Sequence, residues 1–346
     1  YFGKLPVGHL GRIVVLELEN EVLVKETNTY WTFPTSQKFH PNGVGIGMVG
    51  ILMLPFLFAT SFYSGIGFDV VSIEPSSLAL RPMRFLKPHR SCFTTIGGAD
   101  SLLFLEKQKT ALTETTLHSK TLAVARTFLG TPYVNGCLDR NAEECLAVNL
   151  CELDCWTFME NSLAIALAEP GDFQSYKAHL QELRYWGGNV NGYGSRIHYF
   201  TGWLLQNEKR GILQDLTEEM GGIPYRKKIG YISARPAKYP KIKNSENLRA
   251  IRMAERRINA HQWFYIPQAR IAKMEHLIQE GDIVSLTAWK PELDIAHQGF
   301  AVKINGRIHL MHASSLGKKV IISKQPLPEY VITQPGQTGI MVARLK

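Results

Sequence analysis

Two periodicities predict a chain of helices followed by an antiparallel sheet. Apolar residues recur at helical spacing through the middle of the sequence, and strict alternation around a two-residue turn marks its C-terminal third. Leu122, Ala125, Phe128 and Leu129 form the apolar stripe of a first helix, which Gly130 stops. Cys155, Met159, Leu163 and Leu167 share one face of a second, with Asp154 as its N-cap and Glu169-Pro170-Gly171 as its end. Phe173, Tyr176, Leu180 and Leu183 fit a third, and Ser195 is read as the cap of a fourth that runs through Leu205. Strands follow near 283–289, 295–304, 307–313, 319–323 and 339–344. No internal repeat or low-complexity segment appears.

The second helix puts a thiol in its first turn. There Cys155 would feel the positive end of the helix dipole and unpaired N–H groups, which lower a thiol pKa toward thiolate and make it a candidate nucleophile. A lone cysteine on an apolar face is more often a small buried hydrophobe, so the argument needs a partner.

The strand hairpin supplies one. From Ile295 to Ile304 the residues alternate as in a half-buried strand, and Asn305-Gly306 is a strong two-residue turn signal. Pairing Ile304 with Arg307 sets Gly299 opposite His312 and His297 opposite Ser314, so His297 and His312 become diagonal neighbours on one face. Diagonal positions lie about 7–8 Å apart, within reach of two imidazoles, and Gly299 leaves room opposite His312. That is a base with its orienter: His297 to take the thiol proton, His312 to fix its tautomer. His309, on the other face, reads as a solvated strand residue.

Several separated motifs resemble those of NlpC-type cell-wall peptidases: Leu129-Gly130-Thr131-Pro132-Tyr133, Asp154-Cys155, Gly281-Asp282-Ile283-Val284, His297-x-Gly299-Phe300 and His312-Ala313. Within that class, residues 130–136, 149–161, 195–200 and 312–320 are similar to the N-acetylmuramoyl-L-alanine amidase-like family, over roughly residues 112 to 346. The resemblance implies an α+β, papain-like core whose cysteine helix packs on an antiparallel sheet carrying both histidines. It implies cleavage of the amide between muramic acid and L-alanine, with Cys155 as nucleophile, His297 as base, His312 as third member and Tyr133 bordering the site. Family members usually carry a small hydroxyl residue after the cysteine. Trp156 stands there in this chain, which bears on the shape of the substrate groove.

The segment 185–199, rich in glycine and aromatics, has the makeup of a sugar-stacking platform, and Arg196 can grip a carboxylate with two prongs. By resemblance it lines the substrate site, which adds Tyr193, Arg196, His198 and Tyr199, with Ser314, to the substrate-binding candidates. Tyr199 and Trp203 read equally well as core residues of the following helix. His198 lacks a second ligand at i+4, so no metal site is expected.

Composition narrows the classes. The chain has 346 residues, enough for more than one domain, and 45% hydrophobic content suits a substantial core. A net charge of +9, from 39 Lys+Arg and 30 Asp+Glu, favours anionic surfaces. Tyr225-Arg226-Lys227-Lys228 and the helical run 249–257 read as solvated faces, and no nucleic-acid motif accompanies them. Five cysteines, at 92, 137, 145, 151 and 155, are too few for a disulfide scaffold and lack zinc-site spacing, and they are read as unpaired thiols.

Residues 44–68 form an uncharged, largely apolar run of signal-peptide or membrane-anchor character. Residues 1–43 are then an N-terminal extension, 69–111 a linker and 112–346 the catalytic domain. The reading is an exported bacterial amidase of the periplasm or cell envelope, needing no cofactor and no protein partner, that acts on peptidoglycan fragments (muropeptides). The alternatives are a γ-D-glutamyl–diaminopimelate endopeptidase and a non-catalytic cell-wall binding module, which would need none of Cys155, His297 and His312.

Overall fold

The computed structural model describes residues 13–18, 21–26, 29–34, 94–95 and 100–346. The chain divides into two units, residues 1–84 and 85–346. In the first, β1 (Ile13–Leu18), β2 (Glu21–Glu26) and β3 (Thr29–Pro34) form an antiparallel meander, with Leu18 opposite Glu21 and Glu26 opposite Thr29. The apolar run 44–68 lies outside the described residues.

The second unit starts with β4 (Thr94–Thr95) and helix α1 (Asp100–Ala111), so the segment read as a linker already contains a packed helix. Phe104 of α1 is buried in the core, and Asp100 accepts the Leu150 N–H at 2.8 Å. Too few apolar residues face one side of α1 for helical periodicity to reveal it, because the polar residues Asp100, Lys107 and Gln108 share its buried face with Phe104 and Ala111. The Gln108 amide donates to the Ala168 carbonyl at 2.9 Å.

Helix α2 (Leu117–Thr127) is closed by a capping box between Thr116 and Ser119. Leu122, Ala125 and Phe128 are buried as expected, whereas Leu129 is exposed. After β5 (Ala147–Val148) comes α3 (Cys155–Leu167), capped by Asp154, whose carboxylate accepts the N–H groups of Trp156 and Thr157. This helix is buried nearly all round rather than on one stripe. Its polar side chains are answered internally: Glu160 pairs with Arg184 at 2.7 Å, Asn161 accepts from the Tyr176 hydroxyl, and Ser162 donates to the Phe158 carbonyl. Arg184 closes α4 (Phe173–Arg184), and α5 (Phe200–Lys209) follows. That helix starts five residues after Ser195, which instead closes a tight turn with Gly192.

The sheet is then laid down by β6 (Leu213–Asp215), β7 (Ile223–Pro224), β8 (Phe264–Pro267), β9 (Ile283–Ala288), β10 (Ile295–Ile304), β11 (Arg307–Ser314), β12 (Lys319–Ile322) and β13 (Gln337–Leu345). Its order is β12-β11-β10-β9-β13-β8-β7, all antiparallel, with β6 also on β13. The mixture of helices and one antiparallel sheet is an α+β architecture. On one face α3 packs against β10 through Phe158 and Phe300, with ring centroids 5.6 Å apart. On the other, Leu327 and Val331 of a short helix, Leu327–Thr333, meet Ala301, Leu310 and Ile340. The central strands are therefore covered on both faces, not half-buried. His309 is accordingly buried, its ring bonded to the Ser323 carbonyl at 2.8 Å. Lys227 is drawn inward too, donating to the carbonyls of Lys290 and Leu293.

Candidate active site

The hairpin has the register that Asn305-Gly306 dictates, with Ile304 opposite Arg307 and Phe300 opposite Met311. A β-bulge between Ile295 and His297 turns His297 onto the face of Leu286, its partner on β9. The two imidazoles meet: His297 Nε2 lies 2.6 Å from His312 Nδ1, with the rings nearly perpendicular. Gly299 makes this possible, since a Cβ there would stand 2.9 Å from that of His312 and closer still to the Met311 carbonyl.

Cys155 reaches the same place from the helix side. The Gln298 N–H, next to His297 along β10, is directed at its sulfur, as are the N–H groups of Cys155 and Trp156. Those donors favour a thiolate, but burial outweighs them and the Asp154 carboxylate adds to burial, so the thiol is pushed up to about 12 rather than down. The helix-start expectation of a lowered thiol is not met, because packing around the half-buried Cys155 and the Asp154 carboxylate outweigh the N–H donors. Burial also holds His297 down at about 4 and drives His312 down, helped by the neighbouring His297 charge. These shifts favour a neutral thiol and neutral imidazoles at rest.

Tyr133 stands close by. Its N–H donates to Lys318, and its phenol is pushed up to about 12 by burial first and then by Cys155 and Asp154. Two cavities flank the centre. One of about 130 Å³ is lined by Gly136, Asp139, Asp154, Trp156, Arg196 and His198. The other, about 140 Å³, is lined by His297, His312, Ser314, Tyr330 and Gln337 among others.

The remaining candidates part company. Arg196 is 5% exposed and already forms ion pairs with two carboxylates of the protein, the exposed Asp139 at 2.5 Å and the buried Glu144 at 3.1 Å, while its guanidinium lies over the Tyr193 ring. Its charge is thus already paired within the protein, although it borders the first cavity. His198 lines that cavity as well, bonded to the Tyr193 carbonyl at 2.8 Å, and burial followed by Arg196 lowers it to about 3. Tyr193 is buried. Tyr199 is a core residue, its hydroxyl bridging Glu255 and the Ile232 N–H, so the core reading applies to it. Sequence reasoning missed Asp139, Glu144 and Gln337, none of which carries a local pattern. Only folding brings Asp139 and Glu144 to Arg196.

The chain matches the family model described as N-acetylmuramoyl-L-alanine amidase-like (AmiA-like) over residues 123–340. A crystal structure of an N-acetylmuramoyl-L-alanine amidase from Bacteroides uniformis is 34% identical, covering 66% of this chain and 99% of its own, with a TM-score of 0.63. A Bacteroides fragilis structure carrying the provisional name xylanase is 33% identical over 64% of this chain and 99% of its own, with a TM-score of 0.60. A Legionella pneumophila protein, 21% identical over 71% of this chain and 94% of its own with a TM-score of 0.57, shares the fold alone. Among curated proteins none matches significantly. The family model spans well over half of the chain, and the chain belongs to the N-acetylmuramoyl-L-alanine amidase-like family.

Proposed function

We propose that this protein is a cysteine amidase of papain-like, NlpC-type ancestry that hydrolyses the N-acetylmuramoyl–L-alanine bond of muropeptides in the bacterial cell envelope. The observation that carries the reading is the pairing of His297 with His312 at 2.6 Å beside the Gln298 N–H directed at Cys155, in a member of an amidase-like family.

Because thiol and imidazole rest neutral, the proton leaves Cys155 as the sulfur attacks the lactyl carbonyl, and His297 receives it. The carbonyl oxygen becomes an oxyanion, for which the Cys155 N–H at the positive end of α3 is a donor. His297 then gives the proton to the alanine nitrogen as the C–N bond breaks, leaving a thioester. Water, deprotonated by His297, releases the muramic carboxylate and regenerates the thiol. His312 holds the His297 ring and steadies its imidazolium. The cavity beside Asp154 and Trp156 and the one beside His297 offer room for the sugar and peptide halves of such a substrate.

Defined muropeptides, with products weighed by mass spectrometry, test this. The sugar-linked substrate should release a stem peptide with a free N-terminal L-alanine, and Cys155→Ala should abolish turnover while folding normally. Cleavage after D-glutamate would replace the reading with the endopeptidase. Full activity in Cys155→Ala, or activity abolished only by a chelator, would overturn the cysteine mechanism.

A further inference from the structure

The triad ends in a loose thread. His312 is only 2% exposed and its Nδ1 is engaged by His297, yet its Nε2 has no protein partner among the described residues. An orphaned ring nitrogen in so buried a position costs about 1–3 kcal/mol unless something satisfies it. Gln337 Oε1 is in the same condition, buried and unpartnered, and both residues line the same cavity of about 140 Å³. A site of that size holds several waters, and these polar groups suit at least one.

We propose that Gln337 is a positioning residue of the active site, acting through a water that accepts a hydrogen bond from His312 Nε2–H and donates one to Gln337 Oε1. This rests on the proposed cysteine mechanism. A carboxamide oxygen can only accept, so the water spends one hydrogen on Gln337, and in the proposed relay one of its lone pairs accepts from His312. The water donates to Gln337, His312 carries its proton on Nε2, and His312 Nδ1 is therefore an acceptor. His297 must then donate through Nε2–H, which leaves His297 Nδ1 as its lone pair, the atom that takes the Cys155 proton. The backbone puts Gln337 in place. It faces Ala288 on β9, and the register shift between Gln337 and Gly339 turns it onto the face shared by Leu286 and His297. The Tyr330 hydroxyl and Ser314 border the same cavity, but Ser314 Oγ already accepts the Gly317 N–H at 2.9 Å.

The test combines kinetics with long-range ¹⁵N–¹H correlation of the histidine rings in the full chain, His312 being assigned through His312→Gln. The wild type should show His312 protonated at Nε2. Gln337→Met, which keeps length but removes the acceptor, should turn the ring into a tautomer mixture and lower kcat about fivefold, the equivalent of one net hydrogen bond, with KM little changed. Gln337→Glu, which restores an acceptor, should restore both signals. A wild-type His312 protonated at Nδ1 overturns the proposal, as does a Gln337→Met protein with unchanged spectrum and kcat. A Tyr330→Phe protein that alone shifts the tautomer would assign the role to Tyr330 instead and likewise overturn it. If no muropeptide is cleaved, the function fails while the spectrum still decides the relay.

Discussion

Acid should unfold this protein through its histidine pair, and the size of the effect follows from the site. Burial lowers His297 from an ordinary 6.5 to about 4 in the folded chain. The sign is fixed by linkage: the unfolded state takes up the proton first, so the stabilisation is complete above pH 6.5 and is lost as pH falls toward 4. Between pH 7.5 and 4.5 a single group with this shift gives up about 2–3 kcal/mol. His312 shifts in the same direction, so it adds to the loss. Buried acids oppose it, because burial raises Asp294 and Glu160 and their protonation favours the fold as pH falls. The comparison must therefore be a double difference. Urea unfolding followed by tryptophan fluorescence, at both pH values, would be run on the wild type and on His297→Asn. The wild type should lose about 2–3 kcal/mol more than the variant over that interval. Equal losses would mean that His297 titrates as it does in water and that the site is open rather than enclosed.

Four further outcomes follow from the same geometry. Gly299→Ala should lower stability by about 1–3 kcal/mol and abolish turnover, since its Cβ collides with the Met311 carbonyl and with His312; a normal Tm would show that the strands can part freely. His297→Ala should reduce kcat by about 10²–10⁴-fold and His312→Ala by less, a ranking that muropeptide kinetics would reverse if His312 were the base. His309→Ala should keep its kcat but lose about 1 kcal/mol of stability with its bond to Ser323, measured by urea midpoint. Arg184→Ala should cost about 3–5 kcal/mol by stranding the buried Glu160 of the cysteine helix, and a much smaller loss in thermal unfolding would mean that Glu160 is neutral there.

The sequence by itself determined what rests on local rules. Asp154 caps the cysteine helix because a carboxylate before an apolar run satisfies free N–H groups, and Asn305-Gly306 sets a register in which two histidines share a face because strand side chains alternate. Gly299 was legible as the space that lets His312 approach. Family motifs, recurring in order, pointed to the amidase-like family. What only the tertiary structure decided are quantities that depend on what encloses a group. Whether Cys155 gains from the helix dipole or loses by burial turns on the packing around α3, and burial wins. Arg196 faces substrate in sequence terms, but Asp139 and Glu144 arrive from 57 and 52 residues away to occupy it. His309 alternates to the face of Val302 and Met311, yet that face is covered too, by the main core, and its ring is bonded to the Ser323 carbonyl, which no hairpin rule foresees. Helix α1 was hidden for the same reason: besides Phe104, its long-range contacts are hydrogen bonds, Asp100 accepting the Leu150 N–H and Gln108 donating to the Ala168 carbonyl, which leave no periodic trace along the chain.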